Sequence, residues 1–272
     1  MTLASADAAI IADRFLSARR SAAGLSDYPG QMPSSLDEAY AIQDAAIAAW
    51  NRPIVGWKVG RVPPPVVGRF GTERLAGPIF SASVALVDGG EVEMSVFDQG
   101  FAAAEAEFLL RIGGAPEPGK VQFTLEEAAS LIDAVHIGIE VASSPLRAIN
   151  DLGPVAVVSD FGNNNGLVIG PPVPDWRSSD FEEWAVTTRI DGTEVGTGRA
   201  TAFPDGAIGS ARFLFELMAR RGVALKPGQW ISSGAVTGVH DAGPGQKVEA
   251  LYNNGLGVRC RLVAAQPEQG FR

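Results

Sequence analysis

The chain has 272 residues, 46% hydrophobic and 19% charged, a balance that leaves ample apolar material for a core. A formal net charge of −9 argues against nucleic acid and anionic lipid as partners, and an anionic substrate would be repelled unless a cation sits in the site. The single cysteine, Cys260, excludes an internal disulfide and a cysteine zinc cluster; a small buried residue in a late strand is its expected role.

Met1 to Arg20 does not read as a secretory signal, because Asp7 and Asp13 break its apolar run and its arginines follow that run. No apolar stretch approaches the ~18 residues of a membrane span, so a soluble, cytoplasmic protein is expected. Ile10, Ile11, Phe15 and Leu16 recur at helical spacing over residues 6–20, with Ser5 as a possible cap. After a Gly-, Ser- and Pro-rich loop, the capping box Ser35-x-x-Glu38 opens a second helix from Leu36 to about Trp50. Ile54 to Val59 is strand-like. Pro63-Pro64-Pro65 predicts a loop from Arg61 to Gly77.

Short strands follow, and Thr124 with Glu127 caps a helix expected to end near Val135. Strands are predicted at 136–142 and around 166–169. Asp191-Gly192 joins a hairpin of 185–190 and 193–197 through a type I′ turn. A helix over 207–221 stops at Gly222, and strands at 230–232, 247–252 and 257–263 complete the chain. The expected organisation is α+β: a helical N-terminal part (1–60) and a larger β-rich domain (61–272).

The segment Ala104-Glu105-Ala106-Glu107-Phe108-Leu109-Leu110 carries the most chemistry. In a strand Glu105 and Glu107 share one face while Ala106, Phe108 and Leu110 line the other. Two adjacent carboxylates repel each other, and burial adds a desolvation cost; a divalent cation removes both problems. Glu140 interrupts the apolar run Ile137-Gly138-Ile139-Glu140-Val141-Ala142 and supplies a third carboxylate. Glu-x-Glu on a strand also describes a solvated face, and Glu140 alone could pair with an arginine. The joint occurrence raises the metal reading.

Lys58, in Gly56-Trp57-Lys58-Val59-Gly60, could neutralise a metal-bound anion or move a proton; an exposed strand lysine is the alternative. Asp160 to Gly166 is a polar turn, and Ser232-Ser233-Gly234 offers hydroxyls and backbone donors; simple loops explain both equally. The two histidines, His136 and His240, are too isolated for a histidine metal site. Neither a Gly-x-Ser-x-Gly elbow nor a Gly-x-Gly-x-x-Gly fingerprint is present.

These segments, together with Gly77-Pro78-Ile79-Phe80, Pro244-Gly245-Gln246 and Gly255-Leu256-Gly257, fall in an order that resembles the hydratase/decarboxylase branch of the fumarylacetoacetate hydrolase superfamily. The resemblance runs from about Leu36 to Leu262. It implies a mixed β-roll or barrel-like fold, a Mg²⁺ or Mn²⁺ cofactor, and a homo-oligomer, with a partner enzyme of the family as a further candidate partner. It implies Glu105, Glu107 and Glu140 as metal ligands and Lys58 and Ser233 as catalytic residues. Lys58, Phe80, Asp160, Asn163 and Ser233 are the implied contacts to a small 2-keto acid.

The implied reaction is addition of water to a 2-keto-enoic acid of the 2-keto-4-pentenoate type through a metal-stabilised enolate, in aromatic-compound catabolism. A 4-oxalocrotonate-type decarboxylase, an acylpyruvate-type C–C hydrolase and a non-catalytic partner subunit are the alternatives. The hydrolase usually needs a histidine near the N-terminal lid, and none precedes His136. Leu75-Ala76-Gly77 stands where the family often has an acid and a tyrosine, and Ala142-Ser143-Ser144 where it often has Asp-Ser-Arg. Both departures touch the expected substrate pocket and predict a substrate with a larger or more apolar tail.

Overall fold

The computed structural model describes residues 5–253 and 255–269. Its first third contains α1 (Ser5–Ser21), α2 (Leu36–Trp50), β1 (Ile54–Arg61), α3 (Pro64–Phe70), β2 (Arg74–Phe80), β3 (Val84–Leu86) and β4 (Val92–Val96). Next come β5 (Phe101–Ile112), α4 (Leu125–Ser130), β6 (Ile132–Ser144), α5 (Pro154–Ser159) and β7 (Asn164–Pro172). The hairpin β8 (Val186–Ile190) and β9 (Thr193–Gly198) leads to α6 (Gly206–Arg221). Four strands end the chain: β10 (Trp230–Ser232), β11 (His240–Asp241), β12 (Lys247–Tyr252) and β13 (Gly257–Ala264).

Both N-terminal helices bury apolar residues at helical spacing, although Ile10, one of those the periodicity marks on α1, is half exposed. Ile11, Phe15 and Leu16 of α1 and Ile42 and Ala46 of α2 share one core cluster. Ser35 Oγ accepts the Glu38 N–H at 3.2 Å, while the Glu38 carboxylate turns one residue further back to accept from the Ser34 N–H at 2.7 Å. Two expectations fail locally. The proline run does not make a loop: Pro64 and Pro65 open α3, because the first helical turn has no acceptor for their missing N–H groups, and Gly71 closes it at φ 67°. The expected loop over 61–77 is therefore α3 followed by β2.

The capping box Thr124–Glu127 forms with both reciprocal bonds, but α4 ends at Ser130, not near Val135. The following Ile132, Val135 and Ile137 are β-branched and pair with β5 over the whole of β6, so sheet pairing overrides the helix. Asp191 and Gly192, at φ 50° and 80°, make the primed turn that their sequence demands. Gly222 closes α6 at φ 67°.

The larger sheet has the order β2-β1-β10-β5-β6-β7-β3, with β11 added to β5; the smaller has the order β4-β13-β12-β8-β9. Both are mixed, and with the few flanking helices they make an α+β fold. β1 is an interior strand of the larger sheet, parallel to β10 and antiparallel to β2. Cys260 is buried in β13, and burial pushes its thiol up to about 12. Among the described residues no helix is long and apolar enough to cross a membrane.

Candidate metal centre and cavity

The long antiparallel ladder of β5 and β6 sets the carboxylates. Glu105 faces Glu140 directly across it, and Glu107 faces Gly138. The two-residue period keeps Glu107 on the face of Glu105, and the register adds Glu140 to that face. Oxygens of the three side chains lie within 4.8 Å of one another. Exposures of 5%, 0% and 0% for Glu105, Glu107 and Glu140 rule out a solvated face. Glycine is needed opposite Glu107, because a Cβ on Gly138 would sit 2.2 Å from Leu109 Cδ1.

Lys58 enters from β1. Its Nζ lies 3.1 Å from Glu140 Oε2 and the side chain is buried, so Glu140 has a lysine rather than an arginine as its ion-pair partner. Asn164 Nδ2 donates to the other oxygen of Glu140 at 2.8 Å. Ser232 Oγ donates to Glu107 Oε2, which also accepts the Gly234 N–H at 2.9 Å. Tyr252 Oη donates at 2.7 Å to the carbonyl of Glu107 and so pins the strand itself.

The electrostatics are those of a site short of positive charge. Burial, then the neighbouring Glu140 and Glu105, hold the Glu107 carboxyl well above its usual range, against the hydrogen bonds from Ser232 and Gly234. Burial raises Glu105 to about 7, with Lys58 opposing the shift and Glu140 adding to it. For Lys58 burial works against the charge, but the attraction of Glu140, Glu105 and Glu107 exceeds it, so the ammonium is favoured. One ammonium does not balance three carboxylates. Glu107 Oε1, moreover, is buried without a hydrogen-bond partner among the described residues. An orphan carboxylate oxygen beside two other hard oxygen donors fits a divalent cation.

A cavity of about 380 Å³ opens over this centre, with Lys58 and Glu105 in its wall together with Arg61, Leu75, Asn163 and Phe203. The structure thus brings Lys58, the glutamates and Asn163 together. Three other candidates lie elsewhere. The Asp160 carboxylate is held by Arg19 Nε and Ser144 Oγ, each at 2.6 Å, and Asp160 is not in the cavity wall. Phe80 packs edge-on against Phe161, ring centroids 4.9 Å apart, and lines a separate hollow beside Trp50.

Ser233 is buried and outside that wall; its carbonyl accepts from Ser210 Oγ at 2.7 Å, and it is the flanking Ser232 and Gly234 that touch Glu107. Leu75 lines the cavity, whereas Ala76 and Ala142 are buried outside its wall. The two histidines are not in the wall either: His136 Nδ1 is 2.8 Å from the Gly170 carbonyl oxygen, and His240 Nε2 is 3.1 Å from Thr237 Oγ1. Sequence reading missed Asn164, Arg61 and Phe203, and it chose Ser233 where the structure turns the adjacent Ser232 hydroxyl to Glu107, because only the strand end decides which of the two faces that carboxylate.

No family model matches the chain. A 2-keto-4-pentenoate hydratase of Paraburkholderia xenovorans (strain LB400) is 26% identical over 238 residues, 85% of this chain and 86% of that protein. A 4-oxalocrotonate decarboxylase of Pseudomonas sp. (strain CF600) is 24% identical over 242 residues, 87% of this chain and 88% of the relative. In structure, the 4-oxalocrotonate decarboxylase of Pseudomonas putida G7, solved with magnesium and adipate, superposes with a TM-score of 0.80 at 22% identity, covering 96% of this chain and 99% of that one.

Proposed function

We propose that this chain, which by sequence and fold stands in the hydratase/decarboxylase branch of the fumarylacetoacetate hydrolase superfamily, is a metal-dependent lyase that hydrates a 2-keto-enoic acid of the 2-keto-4-pentenoate type. The observation that carries this reading is the convergence of three buried glutamates and a buried lysine at a cavity of small-molecule size. Glu105, Glu107 and Glu140 would hold Mg²⁺ or Mn²⁺, both of which take hard oxygen ligands. Such an ion, when bound, supplies a Lewis acid for the carboxylate and 2-oxo oxygens of the acid.

Lys58 keeps its charge in this site, so it acts as a cation: it holds the acid's carboxylate or relays a proton at C3. Leu75, Val157 and Phe203 give the tail an apolar wall. The test is conversion of 2-hydroxypenta-2,4-dienoate to the 4-hydroxy-2-oxo acid, followed by loss of the dienol absorbance. Turnover should need the divalent ion and stop in chelator. Absence of metal-dependent turnover on any 2-keto-enoic acid would reject the reading.

One feature of the cavity favours decarboxylation of a 2-oxo diacid instead. Arg61 stands in the wall with no ion pair among the described residues; its guanidinium lies over the Phe203 ring, 5.7 Å from the centroid. A second carboxylate on the substrate would meet a cation there. Release of CO₂ from 4-oxalocrotonate, lost in Arg61→Leu while hydration of the monoacid persists, would establish that reading.

A further inference from the structure

Phe161, Gly162 and Asn163 form a single turn in which three successive residues have positive φ, at 57°, 66° and 65°. Only one of the three is glycine, so the turn stores backbone strain that the surroundings must impose. Two contacts impose it. Arg19 and Ser144 clamp the carboxylate of Asp160 immediately before the turn. The β2 backbone presses on it from the other side, so closely that a Cβ on Gly77 would lie 2.0 Å from the Phe161 carbonyl oxygen.

The product of this strain is the placement of Asn163. The residue is 3% exposed yet lines the cavity, and its Oδ1 is buried without a hydrogen-bond partner among the described residues. Its Nδ2 is directed to Asn150 Oδ1 at 3.4 Å, which leaves Oδ1 as the free end of the carboxamide. The stem of Lys58 runs against the same turn, since a Cβ on Gly162 would lie 3.1 Å from Lys58 Cδ, but the Lys58 ammonium is engaged by Glu140.

A bare acceptor in a buried wall asks for a donor from the ligand. In the keto-acid reading the carboxylate and the C2 oxygen, whether ketone or enol hydroxyl, face the metal centre, and the carbon tail before hydration offers no donor. Once water has added, the tail carries one hydroxyl, its sole donor away from the metal-facing oxygens. We propose that Asn163 Oδ1 accepts the hydrogen bond of that hydroxyl, so that the site distinguishes a 4-hydroxy-2-oxo acid from the same acid without the hydroxyl. This inference rests on the keto-acid reading of the site.

The experiment compares binding of 4-hydroxy-2-oxopentanoate and 2-oxopentanoate to the Mg²⁺-loaded protein by calorimetry. The variant is Asn163→Gly, because glycine accepts the positive φ that alanine would strain; its thermal transition and Mg²⁺ affinity report that fold and metal site persist. The wild type should bind the hydroxylated acid about tenfold more tightly, the worth of one buried hydrogen bond. In Asn163→Gly that preference should vanish while the affinity for 2-oxopentanoate stays within about twofold. A preference that survives in the variant, a wild type without preference, or an equal loss of affinity for both acids overturns the inference while leaving the keto-acid reading intact. Failure of both acids to bind the metal-loaded wild type overturns the keto-acid reading and the inference with it.

Discussion

Lys58 is held by opposing forces of unequal size. Burial favours the neutral amine, and three carboxylates favour the ammonium; the carboxylates win. A methionine at this position keeps the stem's volume but removes the only cation paired with these acids among the described residues. Lys58→Met should therefore lower kcat/KM by about 10²–10⁴, the usual range for a lost proton-transfer group. Affinity for Mg²⁺ should hold or rise, because a competing cation has gone. Isothermal titration with the metal and steady-state kinetics together check this; a variant that loses metal binding would show that the lysine supports the site only structurally. The glutamates and Lys58 could be read from the sequence because each breaks a local rule: a charge in an apolar strand, two acids on one strand face. Ser232 broke none, since its role depends on where β10 ends against β5.

Elements joined by short-range patterns were legible, and elements joined by distant residues were not. The hairpin at Asp191-Gly192 and the stop at Gly222 follow from local backbone needs. The facing of Glu105 and Glu140 follows from a register that only long-range pairing fixes. Arg19 shows the limit most clearly. In sequence it is one of two basic residues in the last turn of α1, but its guanidinium reaches the carboxylate of Asp160, 141 residues away, and the pair is 6% and 1% exposed. The N-terminal helix thereby holds the turn that carries Asn163. Removing one partner of a buried ion pair leaves the other charge stranded, so Arg19→Met should destabilise the protein by about 3–5 kcal/mol in urea unfolding. The double variant Arg19→Met with Asp160→Leu should lose less than the sum of the singles. Additive losses would show that the two charges do not act as a pair.

At the scale of the whole molecule, the acidic centre links stability to both pH and metal. Glu105 titrates near 7 in the folded chain, against 4.5 for a free side chain, so the folded state holds its proton longer. Below about pH 4.5 both states are protonated and the group costs nothing. As pH rises toward 7 the unfolded chain ionises first, and the metal-free fold loses stability. The shift amounts to a few kcal/mol, on the order of 1.4 kcal/mol per unit. Glu107, also raised, adds in the same direction. A bound divalent ion reverses the preference, because its ligands must be deprotonated. The metal-free protein in chelator should thus show a falling Tm between pH 5 and 8, and saturating Mg²⁺ should raise Tm little at pH 5.5 and by several degrees at pH 8. Mg²⁺ affinity itself should weaken as pH falls through about 7, where protons and metal compete for the same oxygens. A metal-free Tm that climbs across this window, with a Mg²⁺ increment independent of pH, would mean that the three glutamates are not the site at which the ion binds.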